Sequence, residues 1–530
     1  MRIAVIFLAG LVLTLAGTAT ASECPALNVI QDPAEFQWTA QNGYWSGTLE
    51  IGAATLTIGA DTLTTRAYRQ AGGIFSIPGP TIRMTPGNTY VLTLKNLLPY
   101  ATPSTAENDF KDPNITNLHT HGLHVSPMSP SDDVMRLING TYCGDYVYAV
   151  PSDHMGGTLW YHPHHHGSTY LQVSGGAFGL LLVNDFNDGI PLGVAGMTER
   201  PLVVGFLDPT VAGTGGDTLI SGTLSPTWTV NGKVQGILCT PVDEWQHWRV
   251  LLADSNAMPK TLSVGANCEV ALLARDGVWR TIAPKQVPTN SLDLSGASRA
   301  DLAVRCSADS SISVQGTVVA RVFADATLPA NLTVGPYSNG ATGTTWSALR
   351  PTYLRDLRGV ASFEQRTVSM GARTINGSKF DMNVPTFTIP TGHVQQWTVK
   401  AGAHPFHLHV YHFQMKGACG AFEDGEYYDT LEAGPCYMRF DLNPATSSVY
   451  DGTTIMHCHI LEHEDQGAMG WTDVVGGLAP PLFPGPGFQE LYPCVSAPLP
   501  VNCASFTTSG TCTANAACRW IAKTKKCVNR

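Results

Sequence analysis

The stretch Met456-His457-Cys458-His459-Ile460-Leu461-Glu462-His463-Glu464 puts four soft or borderline metal ligands into nine residues. In an extended run successive side chains alternate in direction, so Cys458 points one way and both flanking histidines the other. A metal on Cys458 would then have a second site behind it, within reach of His457 and His459. His463, five residues beyond the cysteine, can return to the metal that Cys458 holds. A thiolate with two imidazoles is the ligand set of a blue-copper electron-transfer centre.

Three further clusters carry the same chemistry. Asn117-Leu118-His119-Thr120-His121-Gly122 places His119 and His121 two apart, which on a strand puts them on one face toward neighbouring metals. Gly157 to Gly167 holds His162 and His164 at the same spacing. His165 and His166 follow and are expected to face solvent or to stand behind the ligands. Ala403 to His412 again places His407 and His409 on one face. His404 is set apart by a strand-breaking proline and can turn toward a different metal. Fourteen of the seventeen histidines lie in or beside these four clusters, a grouping that scatter does not produce. His124 and His154 read as ordinary polar residues.

The ligands need elements to hold them. A chain of 530 residues suggests about three domains. Only 14% of residues are charged, Gly and Pro number 53 and 35, and long amphipathic helix patterns are scarce. That composition predicts an all-β protein with many turns. Strand-like runs appear at 55–58 and 90–94, then at 202–206, 248–252, 269–273 and 301–304, and again at 394–399. Domains are expected at 22–190, 191–330 and 351–478, with a Gly/Ser/Thr-rich linker at 331–350. The middle domain, with His247 as its one histidine, reads as a spacer. A net charge of −10 without a basic run predicts no nucleic-acid partner.

Arg2, the apolar run 3–15 and Ala19-Thr20-Ala21 read as a signal peptide over residues 1–21. The chain is expected to be exported, extracellular or, in a bacterium, periplasmic, without a transmembrane anchor. Thirteen cysteines suit an oxidising compartment, and setting Cys458 aside leaves twelve, enough for six disulfides. Cys419 and Cys436 could pair locally. Residues 479–530 read as a Pro-rich linker and a small Cys-rich module, either a wall- or partner-binding unit or a passive cap.

Together, H-x-H-G at 119–122, W-Y-H-x-H at 160–164, H-P-x-H-L-H at 404–409 and H-C-H-x-x-x-H at 457–463 resemble the multicopper oxidase family, in the family's order and across residues 35–478. This family includes laccases, ascorbate oxidases and bacterial cuprous oxidases. The resemblance implies three cupredoxin-like Greek-key β-sandwiches and four copper ions. By the same resemblance His404, Cys458 and His463 hold a type 1 copper, and His119 and His407 a type 2 copper. His121, His162 and His459 hold one type 3 copper, and His164, His409 and His457 the other. Glu464, and Asp133 or its neighbour Asp132, would assist proton transfer. O2 and a small reducing substrate are the implied partners.

Position 468, ten after the cysteine, is usually Met, Leu or Phe in the family. Here it is Ala468 followed by Met469, so either the axial thioether is missing or Met469 reaches in. Phenols or aromatic amines are the leading substrates. Fe(II) or Cu(I) is the alternative, with Glu423, Asp424 and Glu426 keeping Fe(II) open and the lack of a dense Met cluster weighing against Cu(I). A non-catalytic extracellular copper-binding protein is the alternative of another class.

Overall fold

Alternation of apolar and polar residues builds six main sheets, packed in pairs. The computed structural model describes residues 23–185, 192–281, 284–336, 350–485 and 487–494, together with two short paired strands, Cys518–Ile521 and Lys526–Asn529. The expected signal peptide, most of the 331–350 linker and most of the Cys-rich tail lie outside the described residues.

In the first pair, a sheet containing Trp45–Ile58, Asp61–Gln70, Thr89–Asn96 and Tyr142–Ala149 covers one of Ile82–Met84, Gly179–Val183, Gly157–His162 and His119–His121. Leu49, Ile51, Leu92 and Tyr146 from one layer meet Leu159, Tyr161 and Leu181 from the other. In the second pair, Thr198–Leu207, Gln246–Ala253, Arg299–Cys306 and Cys268–Arg275 pack on Gly236–Pro241, Thr317–Asp325, Ser310–Val314 and Lys260–Val264, around Trp248, Leu302 and Val322. In the third, Phe363–Gly371, Val394–Lys400 and Cys436–Asp441 pack on Met469–Val475, Gly452–Cys458 and Phe406–Leu408, around Trp397, Phe440 and Met456.

All the strand-like runs read from the sequence fall inside these strands. Every layer of every sandwich also carries one parallel pair amid antiparallel neighbours, the mark of one topology repeated three times. The all-β architecture of three cupredoxin-like sandwiches is therefore as the sequence implies.

The sandwiches are tied together. Trp160, Phe178 and Leu180 of the first share a buried cluster with Val203, Leu207 and Leu251 of the second and Leu461 of the third. Cys24 is bonded to Cys239, and Ile30 enters the core of the second sandwich. At the other end Tyr492–Pro493 adds an edge strand beside Tyr142–Ala149, and Cys494 is bonded to Cys143. Residues 487–494 are thus docked on the first sandwich. Cys419 and Cys436 pair as expected, Cys268 is bonded to Cys306, and Cys458 is free and buried.

The tightest polar tie joins the second sandwich to the third. Arg299 and Asp429 have fully buried side chains, and the guanidinium donates through both terminal nitrogens to the two carboxylate oxygens, at 3.0 Å for Nη1. Removing one partner from such a pair leaves an uncompensated buried charge, which costs about 3–5 kcal/mol. Arg299→Met is accordingly expected to lower the stability of the folded protein by about that amount, read as a drop in the urea midpoint.

Candidate metal centre

Each histidine motif follows one local logic: alternate residues fill a core and the histidines face outward. Tyr161 is buried in the first sandwich, while Trp160 and His162 face the other way. Phe406 and Leu408 fill the third core and His407 opposes them. Antiparallel pairing then sets His119 beside His162, and His407 beside His457. The strand carrying His162 ends there, at Pro163, so His164 is delivered by the following loop. His409 likewise lies just past Phe406–Leu408.

All eight of these histidines are buried, at 2% exposure or less: His119, His121, His162, His164, His407, His409, His457 and His459. Rings from the first and third sandwiches interleave. His119 stacks on His409 at 3.8 Å, and His121 on His407 at 3.7 Å. Three groups bring their ligand atoms within 4.8 Å of one another: His119, His121 and His407; His121, His162 and His459; and His164, His409 and His457.

Outer partners orient the rings. His119 Nδ1 donates to Asp132 at 2.8 Å, His162 Nδ1 to the Pro163 carbonyl at 2.8 Å, and His407 Nδ1 to the Asp429 carbonyl at 2.8 Å. His457 Nδ1 donates to the Cys458 carbonyl at 3.1 Å. Such bonds fix the tautomer and present the opposite nitrogen as a lone-pair donor.

The residues fit metal ions on this structure's own terms. Nε2 of His119, His162, His407, His409 and His459 and Nδ1 of His121 are buried without a hydrogen-bond partner. Burial, reinforced by the neighbouring imidazoles, holds His119, His121, His164, His409, His457 and His459 well below the usual histidine range. His162 is brought down to about 3 and His407 to about 4. Neutral imidazoles with unpaired lone pairs are what a metal requires.

The fourth group is separate. The strand Gly452–Cys458 ends at the cysteine, and the single-turn helix Leu461–Asp465 brings His463 back. Cys458 Sγ lies 3.7 Å from His404 Nδ1 and 3.8 Å from His463 Nδ1. Cys458 is fully buried, while His404 and His463 are part-exposed. Ala468 packs against Cys458, and its carbonyl accepts from the Cys458 amide at 2.9 Å. Met469 points elsewhere, into a cluster with Val134 and Ile455.

Of the two acids weighed at 132–133, the structure corrects the choice of Asp133. Asp132 is the one that touches His119, and it also accepts from the Thr120 amide and hydroxyl. Asp133 instead accepts from the Met135 amide and closes a turn. Both acids lie in the loop after His119–His121, and the turn that Asp133 closes onto Met135 leaves Asp132 as the one facing His119. Glu464 is fully buried, with Oε1 3.1 Å from His166 Nδ1. His165 is buried against Asp112 rather than facing solvent. His124 and His154 are polar and buried. His124 Nδ1 and Nε2 face the Val410 and Ser448 carbonyls, and His154 Nε2 accepts from the His124 amide.

Sequence reasoning missed Asp429, which stands 3.3 Å from His121 Nε2 while Arg299 neutralises it. Its one signal was a lone acid within the apolar Tyr427-Tyr428-Asp429-Thr430-Leu431 run. The glycine of H-x-H-G is explained by the same pair. Gly122 has φ +91°, and a Cβ there would lie 2.7 Å from Arg299 Nη2 and 3.1 Å from Asp429 Oδ2.

Models of the multicopper oxidase family match residues 72–188 and 350–476. A multicopper oxidase of Staphylococcus haemolyticus is 28% identical over 426 residues, covering 74% of this chain and 81% of the relative. A laccase of Bacillus stratosphericus is 25% identical, covering 76% and 89%. Among solved structures, a laccase of Pediococcus acidilactici superposes with a TM-score of 0.65 at 19% identity, covering 86% of this chain and 95% of that one. A Campylobacter jejuni multicopper oxidase described as a metallo-oxidase gives 0.62 at 19%, covering 84% and 95%. With the histidine groups in place, these matches show that the chain belongs to the multicopper oxidase family and is a copper-dependent oxidoreductase.

Proposed function

We propose that this oxidase is laccase-like, taking single electrons from phenols or aromatic amines and reducing O2 to water. The observation that carries this reading is a cavity of about 290 Å³ against His463. Tyr170, Phe206, Met258 and Ile460 give it apolar walls, and Asp208 and Glu462 contribute carboxylates. Flat apolar walls suit an aromatic ring, and the carboxylates can accept from a phenol hydroxyl or an amine N–H.

In this reading His404, Cys458 and His463 hold the type 1 copper, and His119 and His407 the type 2 copper. His121, His162 and His459 hold one type 3 copper, and His164, His409 and His457 the other. Copper when bound supplies one-electron redox states at each site, four in all, matching the four electrons that O2 needs to become water. The protein supplies the rest. Cys458 is joined through the main chain to His457 and His459, and the His457 bond to the Cys458 carbonyl adds a second link between the sulfur and the histidine cluster. Trp160, stacked on His162 at 4.1 Å, keeps water from one flank.

Two buried carboxyls can hold protons near neutrality. Burial raises Glu464 to about 8 and Asp132 to about 7. Glu464 connects outward through His166 to Asn108, whose Oδ1 lies 3.2 Å from His166 Nε2.

The acids that kept Fe(II) open are already engaged. Glu423 accepts from Arg280 at 2.9 Å and Lys285 at 3.1 Å, Asp424 pairs with Arg358 at 2.9 Å, and Glu426 pairs with Arg350. That favours an organic donor over a metal ion. Export is supported by the apolar N-terminal segment and by the four disulfides among the described residues. No helix among the described residues is long and apolar enough to cross a membrane.

Oxygen uptake by the purified, copper-loaded protein is expected with a phenol or an aromatic amine and to be far slower with Fe(II) or Cu(I). Uptake with a metal ion alone would move the assignment to a metallo-oxidase. Asp208→Asn with Glu462→Gln is expected to raise KM for an aromatic amine about tenfold, the loss of roughly one charge-assisted hydrogen bond. The blue band and kcat should stay as in the parent. Cys458→Ser should remove the blue band while leaving the histidine-bound copper, checked by visible spectrum and metal content.

A further inference from the structure

The position after Cys458 where a thioether would be expected holds Ala468, whose short side chain is buried with Cys458, Ala257 and Ile460. Met469, the nearest sulfur in sequence, does not compensate. As the first residue of Met469–Val475 it faces away from its neighbour Ala468, and it lines a cavity with Phe380, Asp381 and Val384. Met258, next to Ala257, lines the substrate cavity on the outer side of His463.

A different methionine packs against the cluster that Cys458 and Ala468 form with Ala257 and Ile460. Met370 stands at the end of Phe363–Gly371, in the layer of the third sandwich opposite to the one that carries Cys458. It touches both the third core and the cluster of Cys458 and Ala468, and it is only partly buried. The layers of a sandwich are about 10 Å apart, and an unbranched side chain with three rotatable bonds reaches the space between them. Shortening position 468 to alanine opens the room that such a chain needs.

We propose that Met370 supplies the axial thioether of the type 1 copper, from the facing sheet rather than from the loop after the cysteine. The inference rests on the reading of His404, Cys458 and His463 as that copper's ligands. An axial sulfur tunes the potential of such a site, and it does so here from a strand held by its own sheet.

The test is a redox titration of the blue band, with Cu(II) EPR, on the copper-loaded full chain and three variants. Met370→Leu conserves volume and removes the sulfur, so the potential is expected to rise and the copper hyperfine pattern to change. Met370→Gln puts an oxygen donor at the same place and is expected to lower the potential. Met469→Leu should match the wild type in both readouts. An unchanged potential and EPR spectrum in Met370→Leu overturns the proposal, as does a shift in Met469→Leu of the size expected for position 370. Should the leucine variant fail to fold, Met370→Gln decides alone, and a wild-type potential there also overturns the proposal. Copper-loaded wild type without a blue band would overturn the type 1 reading and this inference with it, so the two failures are distinguishable.

Discussion

Eight neutral imidazoles, four from each of two sandwiches, are pressed into one buried space with lone pairs turned inward. Without a cation that arrangement is unfavourable, because unpaired buried nitrogens forgo the hydrogen bonds that water would give them. The rest of the structure exists in part to enforce it. The stacked pairs His119–His409 and His121–His407 each take one ring from the first sandwich and one from the third, so a shift between the two would open the metal groups.

What prevents the shift is spread over several contacts. Asp465, on the helix that returns His463, accepts from the Gly167, Thr169 and Tyr170 amides at the start of Thr169–Ser174 in the first sandwich. Glu464 meets His166 beside it. The middle sandwich, which the sequence presents as a spacer because it lacks ligands, supplies Arg299. That guanidinium holds Asp429 behind His121 and His407 while its backbone belongs to the second sandwich. A domain without ligands thus contributes charge to the centre.

Much of the centre was legible because metal chemistry restricts residue types. His and Cys at i, i+2 spacing carry their function in the sequence itself, and the all-β class followed from turn density and alternation. What escaped were the partners whose role depends on a fold. Arg299 and Asp429 are 130 residues apart, and nothing local couples them. Asp132 and Asp133 are chemically equal in sequence, and only the direction of the strand-to-loop turn tells them apart. The i, i+2 rule also gave His164 and His409 the right side for a partly wrong reason, since both lie beyond their strands. Gly122 shows the reverse case, a motif residue whose cause is visible only when Arg299 is seen against it.

The two long-range disulfides carry a topological consequence. Cys24–Cys239 closes a ring around the first sandwich, and Cys143–Cys494 closes another that runs through the rest of the chain, each of them spanning more than two hundred positions. The rings overlap between residues 143 and 239. A protease cut at any one exposed loop inside either ring would therefore leave the pieces covalently joined, with both halves of the copper-binding surface still facing each other. Connectivity of this kind separates damage to the backbone from loss of the catalyst.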